Sequence, residues 1–472
     1  MERATPEQPD FLARAKELLA EGFVHLPSVA STGLAKYEQD ALLEAAERLQ
    51  DNYPYHHPLY VGQMLKPPHP LARNAYALAM CLNPNNHALD GGRASSRMER
   101  EAVAGLANMF GWDEHLGHLC GGGTMANFEA LWVAREESRS RHGVAGAVAA
   151  SAQAHYTHER LSSVLDRPFV KIDVDAAGRM SIPSLERALE AASQTIDTVV
   201  VTLGTTAAGA IDPLPAVLAL RERYGFRIHV DAAYGGYFTL ADGISAYARA
   251  AFDAIRAVDS VVIDPHKHGL QPYGCGCVLF RDPTVGRHYR HDSPYTYFSS
   301  DELHLGEISL ECSRAGAAAV ALWTTMRAMP LEREGDFACG LEACLSAARR
   351  LYKHCQQHPR LAPIFAPELD LLVVAVKSPT AAESSTLAQE IFDEAAACDL
   401  HLAVVRVPRA LALRAEAVTD WQDEETILCL RFCTMKPEHL PWLEQIRKRL
   451  DGAVTTVFER AAQTESLQAQ VR

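Results

Sequence analysis

Residues 260–269 read SVVIDPHKHG, from Ser260 to Gly269. Three β-branched residues, Val261, Val262 and Ile263, run straight into a polar turn that carries a single lysine, Lys267. Such a run, bounded by a turn, predicts a buried strand of a parallel sheet. In open α/β sheets the chemistry gathers just past the carboxyl ends of the strands. Lys267 falls there, between His266 and His268 and shortly after Asp264. A lysine so placed can form a Schiff base. It can equally be a solvated loop lysine, the commonest fate of that residue type, so the flanking segments have to decide.

Upstream, GAVAAS (146–151) leads to Gln153 and His155, and TVVVTLG (198–204) leads to Thr205 and Thr206. VKIDVD (170–175) precedes the helical pattern PSLERALEAA, and RIHVD ends at Asp231, with Ala232 and Ala233 following. Downstream comes CGCVLFRD (275–282). Strands alternating with helices of this length predict βαβ units, hence an α/β fold with a mostly parallel central sheet. Each strand ends in polar or small residues, as a site built along one sheet edge requires. Earlier still, HLCGGGTMAN (118–127) opens a helix. Its glycines let backbone N–H groups approach an anion at the helix N-terminus, and Thr124 adds a hydroxyl. No Walker lysine follows, so this is not a nucleotide P-loop.

The expected organisation is an N-terminal segment (1–70), a large α/β domain (71–330) and a small C-terminal α+β domain (331–472). Residues 10–50 predict two amphipathic helices, with Phe11, Ala15, Leu18 and Leu19 at helical spacing. The prolines of 52–70 bar regular helix and read as a surface connector, although His56, His57, Tyr60 and Gln63 could line a site. Asn85, Asn86 and His87 lie in an Asn/Gly-rich loop of the same potential, before Ser95 and Ser96, which read as caps of a helix bearing Glu99. A long buried helix is expected within 311–329, starting near Ser313 and Arg314. ELDLLVVAV, AVVRV and ILCLRFCTM then predict an antiparallel sheet.

A formal net charge of −14 without a basic stretch argues against nucleic acid and anionic membrane as partners. Eleven cysteines in a long chain without CxxC pairs point to reduced thiols and to no metal site. The charged N-terminus lacks an apolar signal core, and no stretch approaches the ~20 apolar residues that span a bilayer. A cytoplasmic protein is the expectation.

A pyridoxal phosphate enzyme needs an amine for the cofactor, a carboxylate for the pyridine nitrogen, a flat side chain against the ring and a helix N-terminus for the phosphate. Lys267, Asp231, His155 and the Gly123–Thr124 turn supply one each. Taken singly, Asp231 reads as a cap or ion pair, His155 as a core or loop histidine and Thr206 as a turn residue. Their joint order favours the cofactor.

HVDAAYGG, DPHK and the SAQAHYT segment together resemble the group II pyridoxal-phosphate decarboxylases, fold type I enzymes that include aromatic amino acid, tyrosine and glutamate decarboxylases. The resemblance covers roughly 55–435. It implies a fold type I architecture, pyridoxal 5'-phosphate as cofactor and a homodimer with a shared active site. It makes Lys267 the Schiff-base lysine and Asp231 the partner of the pyridinium nitrogen. His155 and Ala233 take the two ring faces, and Thr206 lies near the 3-hydroxyl. Gly123, Thr124, Asp264 and His266 surround the phosphate. Arg314 and Arg431 match family arginines. His268 stands where the aromatic amino acid enzymes carry tryptophan, which makes the segment more similar to archaeal tyrosine/aspartate decarboxylases and leaves the substrate open. The implied reaction is decarboxylation of an L-amino acid to its amine and CO₂, with Tyr295, Tyr297, His155 or Lys267 returning a proton to Cα. A C–C lyase, an aldehyde synthase and a transaminase use the same core. A silent binding protein on this fold would have lost the lysine or the aspartate, and both are present.

Overall fold

The computed structural model describes residues 10–27, 33–191, 195–290, 303–422 and 424–471. Two helices lead, α1 (Phe11–Glu21) and α2 (Lys36–Arg48), followed by α3 (Pro70–Ala79) and α4 (Arg93–Met109). The central sheet is built from β1 (Leu116–Cys120), β2 (Ala147–Ser151), β3 (Phe169–Ile172), β4 (Ile196–Thr202), β5 (Arg227–Asp231), β6 (Ser260–Ile263) and β7 (Gly276–Phe280), in the order β1-β7-β6-β5-β4-β2-β3. Pairs from β3 through β6 are parallel, while β7 runs antiparallel to both β6 and β1. The sheet is therefore mostly parallel, as the β-branched runs predict. All four residues of β6 are buried, which is why the run is continuously apolar rather than alternating.

A second sheet of four strands lies C-terminal. It comprises β8 (Leu361–Pro363), β9 (Leu371–Val376), β11 (Ala403–Pro408) and β13 (Thr426–Cys433), antiparallel in the order β11-β13-β9-β8. A short parallel pair, β10 (Ser378–Thr380) with β12 (Val418–Asp420), flanks it. No helix among the described residues is long and apolar enough to cross a membrane.

Three local expectations need correction. The proline-rich stretch before residue 70 is not a surface connector. Leu59, Tyr60 and Val61 are buried. The Val61 amide donates to the His401 carbonyl (2.9 Å), and the Val61 carbonyl accepts from the Cys433 amide (2.8 Å). Prolines exclude helix, but they do not exclude burial as extended chain against a sheet. Ser95 and Ser96 do not cap α4: the cap position is Gly92, and both serines lie buried inside the helix. The helix expected over 311–329 spans Gly316–Ala328. Its upstream residues are already used, because Arg314 and Gly316 pair through their backbones with Asn86 and Pro84.

The two N-terminal helices form where expected, but neither buries a residue within this chain. Arg314 is a buried pin behind β1. Its Nη1 donates to Glu99 Oε1 (2.5 Å) and the Leu119 carbonyl (2.7 Å), and its Nη2 donates to the Asn86 carbonyl (3.2 Å).

Candidate active site

The carboxyl ends of β4, β5 and β6 open into a cavity of about 800 Å³. Lys267, Asp231, His155, Thr206, Ala233, Asp264, His266, Gly123 and Thr124 all line it. Nine residues read from the sequence as cofactor contacts thus converge on one space, although they come from separate turns.

The helix α5 (Gly123–His142) points its N-terminus into the cavity. Its cap, Gly122, has φ +147°, which residues with a side chain rarely adopt. A Cβ on Gly123 would lie 2.6 Å from Asp264 Oδ2, so the backbone approaches that carboxylate as only glycine can. The first-turn N–H groups of a helix lack partners within it, and the aligned dipole favours an anion there.

Asp231, at the end of β5, is almost fully buried. Its Oδ2 lies 2.8 Å from Nε2 of His158, and its Oδ1 accepts from the Ala233 amide (3.1 Å). Burial by itself would push the carboxyl up. The hydrogen bond and charge of His158, with Lys267 and the Ala233 amide, outweigh burial and hold it well below the usual carboxylate range. His158, in α6 (Thr157–Val164), is wholly buried. Sequence reasoning missed it. The signal available was the spacing His155-Tyr-Thr-His158, two histidines about one helical turn apart.

Lys267 Nζ sits 3.1 Å from Asp264 Oδ2, and His266 Nε2 lies 3.6 Å from the same oxygen. His266 Nδ1 meets the Cys275 carbonyl at 2.7 Å, which fixes its ring beside the glycine turn. His155 accepts from the Thr157 amide through Nδ1 (3.2 Å), and burial lowers its pKa. The Thr206 carbonyl accepts from Arg431 Nη2 (2.7 Å), and the Ala207 carbonyl accepts from Nε (3.2 Å). Arg431 therefore props up the Thr206 turn from the C-terminal sheet.

Other expectations fall elsewhere. His268 does not line this cavity. It is buried, with Nε2 3.2 Å from Asp370 Oδ2, so the residue that differs from tryptophan packs outside the cavity lining. His56, His57, Tyr60, Gln63, Asn85, Asn86 and His87 are also absent from the lining; His56 instead borders a separate cavity of about 450 Å³. Tyr295 and Tyr297 lie outside the described residues. Tyr156, Tyr273, Phe128 and Glu311 do line the main cavity, and sequence reasoning did not single out these four.

The residues present fit pyridoxal phosphate. The cavity offers a primary amine, a buried carboxylate and a helix N-terminus. It also holds buried polar atoms without protein partners, Thr202 Oγ1 and Asp264 Oδ1, where a bound polar group is the natural complement. The model of the pyridoxal-dependent decarboxylase conserved domain matches residues 75–377. The chain belongs to that family. It is a pyridoxal-phosphate-dependent amino acid decarboxylase, a carboxy-lyase of group II.

Relatives set this decarboxylase among amino acid enzymes. It is 30% identical to an L-tyrosine decarboxylase of Enterococcus faecium over 413 residues, 67% of each chain. It is 26% identical to a probable L-tyrosine/L-aspartate decarboxylase of Methanothrix thermoacetophila, covering 75% of this chain and 84% of that one. The fold matches the crystal structure of Oryza sativa TDC with PLP and tryptamine at a TM-score of 0.77 and 18% identity, covering 96% of this chain and all of that one. The enzyme thus has the fold type I architecture.

Proposed function

We propose that the enzyme decarboxylates an L-amino acid whose side chain is uncharged or cationic, at the cavity where Lys267, Asp231 and the α5 N-terminus meet. That convergence is the observation that carries the reading. Lys267 holds the cofactor through its amine, and Asp264 beside it orients that amine. The cofactor supplies an electron sink for the pair left when the Cα–carboxylate bond breaks. Asp231 holds a proton at the ring nitrogen, and His158 keeps Asp231 charged and aimed. His155 and Ala233 are the groups for the two ring faces. Thr206 serves the 3-hydroxyl side. Gly123, Thr124 and His266 serve the phosphate, with Asp264 between that side and Lys267. Tyr295 and Tyr297 are the candidates to return the proton to Cα, with His155 and Lys267 also within the cavity.

Charge supports the substrate class. Among the described lining residues Lys267 is the one lysine or arginine, and it is committed to the cofactor. Asp231 and Asp264 are likewise committed, to the ring nitrogen and to Lys267, which leaves Glu311 as the further carboxylate of the lining. Against the described lining of this chain an anionic side chain would meet no arginine and no second lysine, and desolvating it without one is costly. Phe128, Tyr156 and Tyr273 offer apolar faces instead. Purified protein with added pyridoxal phosphate, screened against the common amino acids, should release CO₂ and amine in equal amounts, with tyrosine-like or diamino substrates ahead of aspartate and glutamate. Aspartate as the best substrate would overturn the charge argument. Keto acid or aldehyde in place of amine would overturn the reaction.

A homodimer with a shared site belongs to the same reading. Phe11, Leu18, Leu42 and Leu43 on α1 and α2 are largely exposed, and such apolar faces favour burial against a partner. Light scattering should give twice the 51.6 kDa chain mass; a monomer that is active would refute the shared site. All eleven cysteines are free, which supports a reducing compartment such as the cytoplasm.

A further inference from the structure

Asp370 lies just before β9, in the C-terminal sheet, and is completely buried. Its carbonyl accepts from the Thr434 amide (2.9 Å), which anchors it to that sheet. Its carboxylate reaches the other way, into the large sheet's turns. Oδ1 accepts from the Tyr234 hydroxyl (2.7 Å), and Oδ2 lies 3.2 Å from His268 Nε2. Tyr234 follows the Asp231–Ala233 turn and itself lines the cofactor cavity. His268 follows Lys267 directly. The His268 ring is held edge-on between Tyr234 (4.8 Å) and Phe238 (4.9 Å).

One buried carboxylate thus joins the neighbours of two cofactor residues that sit on adjacent strand ends. A buried carboxylate is costly without partners; the Tyr234 hydroxyl holds Oδ1 by a hydrogen bond, and the close approach of His268 Nε2 is what faces Oδ2. We propose that Asp370 is a positioning residue: through Tyr234 and His268 it locks the turn carrying Asp231 and Ala233 to the turn carrying Lys267, and fixes both to the C-terminal sheet. The kinetic part of this inference rests on the decarboxylase reading above.

The variant to make is Asp370→Asn, which keeps the shape but replaces one acceptor by a donor facing His268. In the holoenzyme, kcat should fall by about 10- to 100-fold, the usual scale for supporting partners of a site. KM should stay within about threefold, since the substrate's own contacts are untouched. The visible circular dichroism of the bound cofactor should change in shape, reporting an altered tilt against its surroundings. A purely structural role predicts a lower melting temperature with kcat per bound cofactor and the dichroism unchanged, and that result would overturn the proposal.

Tyr234→Phe gives a second, gentler test, since it removes the hydrogen bond to Oδ1 and leaves Oδ2 against His268. If the two residues act as one latch, Asp370→Asn combined with Tyr234→Phe should be within about twofold of Asp370→Asn alone. Effects on kcat that multiply would refute the latch. Should the parent protein release no CO₂ from any amino acid, the functional reading fails, while the dichroism comparison still decides the latch.

Discussion

Replacing Lys267 by alanine abolishes decarboxylation, with turnover reduced on the order of 10⁴-fold or more, because the variant lacks the amine that fixes the cofactor and exchanges with substrate. No other lysine or arginine among the described lining residues can take its place. Binding of the cofactor should persist weakly, since the α5 N-terminus and His266 are untouched. The measurements are CO₂ release and the visible spectrum before and after added cofactor. Turnover within tenfold of the parent would remove Lys267 from its assigned role.

Asp231→Ala should lower kcat by about 10²- to 10³-fold, the scale seen when a preorganised electrostatic partner is deleted. A neutral neighbour no longer favours a protonated ring nitrogen, so the electron sink weakens. His158→Gln should fall between this variant and the parent, since it loosens Asp231 without removing it. Near-normal rates for Asp231→Ala would defeat the electron-sink argument, whatever His158→Gln does. The depressed carboxyl also contributes stability above about pH 4, its unfolded value. That contribution is lost as pH falls through the lower folded value.

The strand ends were legible because buried parallel strands read as continuous β-branched runs, and each stops where its polar residue begins. Lys267, Asp231, Thr206 and His155 can therefore be placed along one edge from the sequence alone. His158 was not legible, because its meaning depends on a carboxylate brought to it by the sheet order. Asp370 borders a different sheet and Arg431 lies in it, and no local pattern says that they reach back to the Tyr234, His268 and Thr206 turns. Ser95 and Ser96 look like caps by residue type, but tertiary burial around Glu99 and Arg314 takes them into the helix. His268 bears on the substrate only through the resemblance, standing where the aromatic amino acid enzymes carry tryptophan, and its side chain is buried away from the cavity. On a tight turn, successive side chains face opposite ways.

The Tyr60–Val61 splice into the C-terminal sheet has a consequence for how the chain is made. Residue 61 leaves the ribosome 340 residues ahead of the His401 carbonyl, and further still ahead of the Cys433 amide, which together hold it. At translation rates of 5–20 residues per second, the first of these partners is delayed by roughly 17 to 70 seconds. During that interval Leu59 and Val61, which end fully packed, have no sheet to cover them. The nascent chain therefore carries this short apolar segment uncovered over that interval, which is where a chaperone has something to hold.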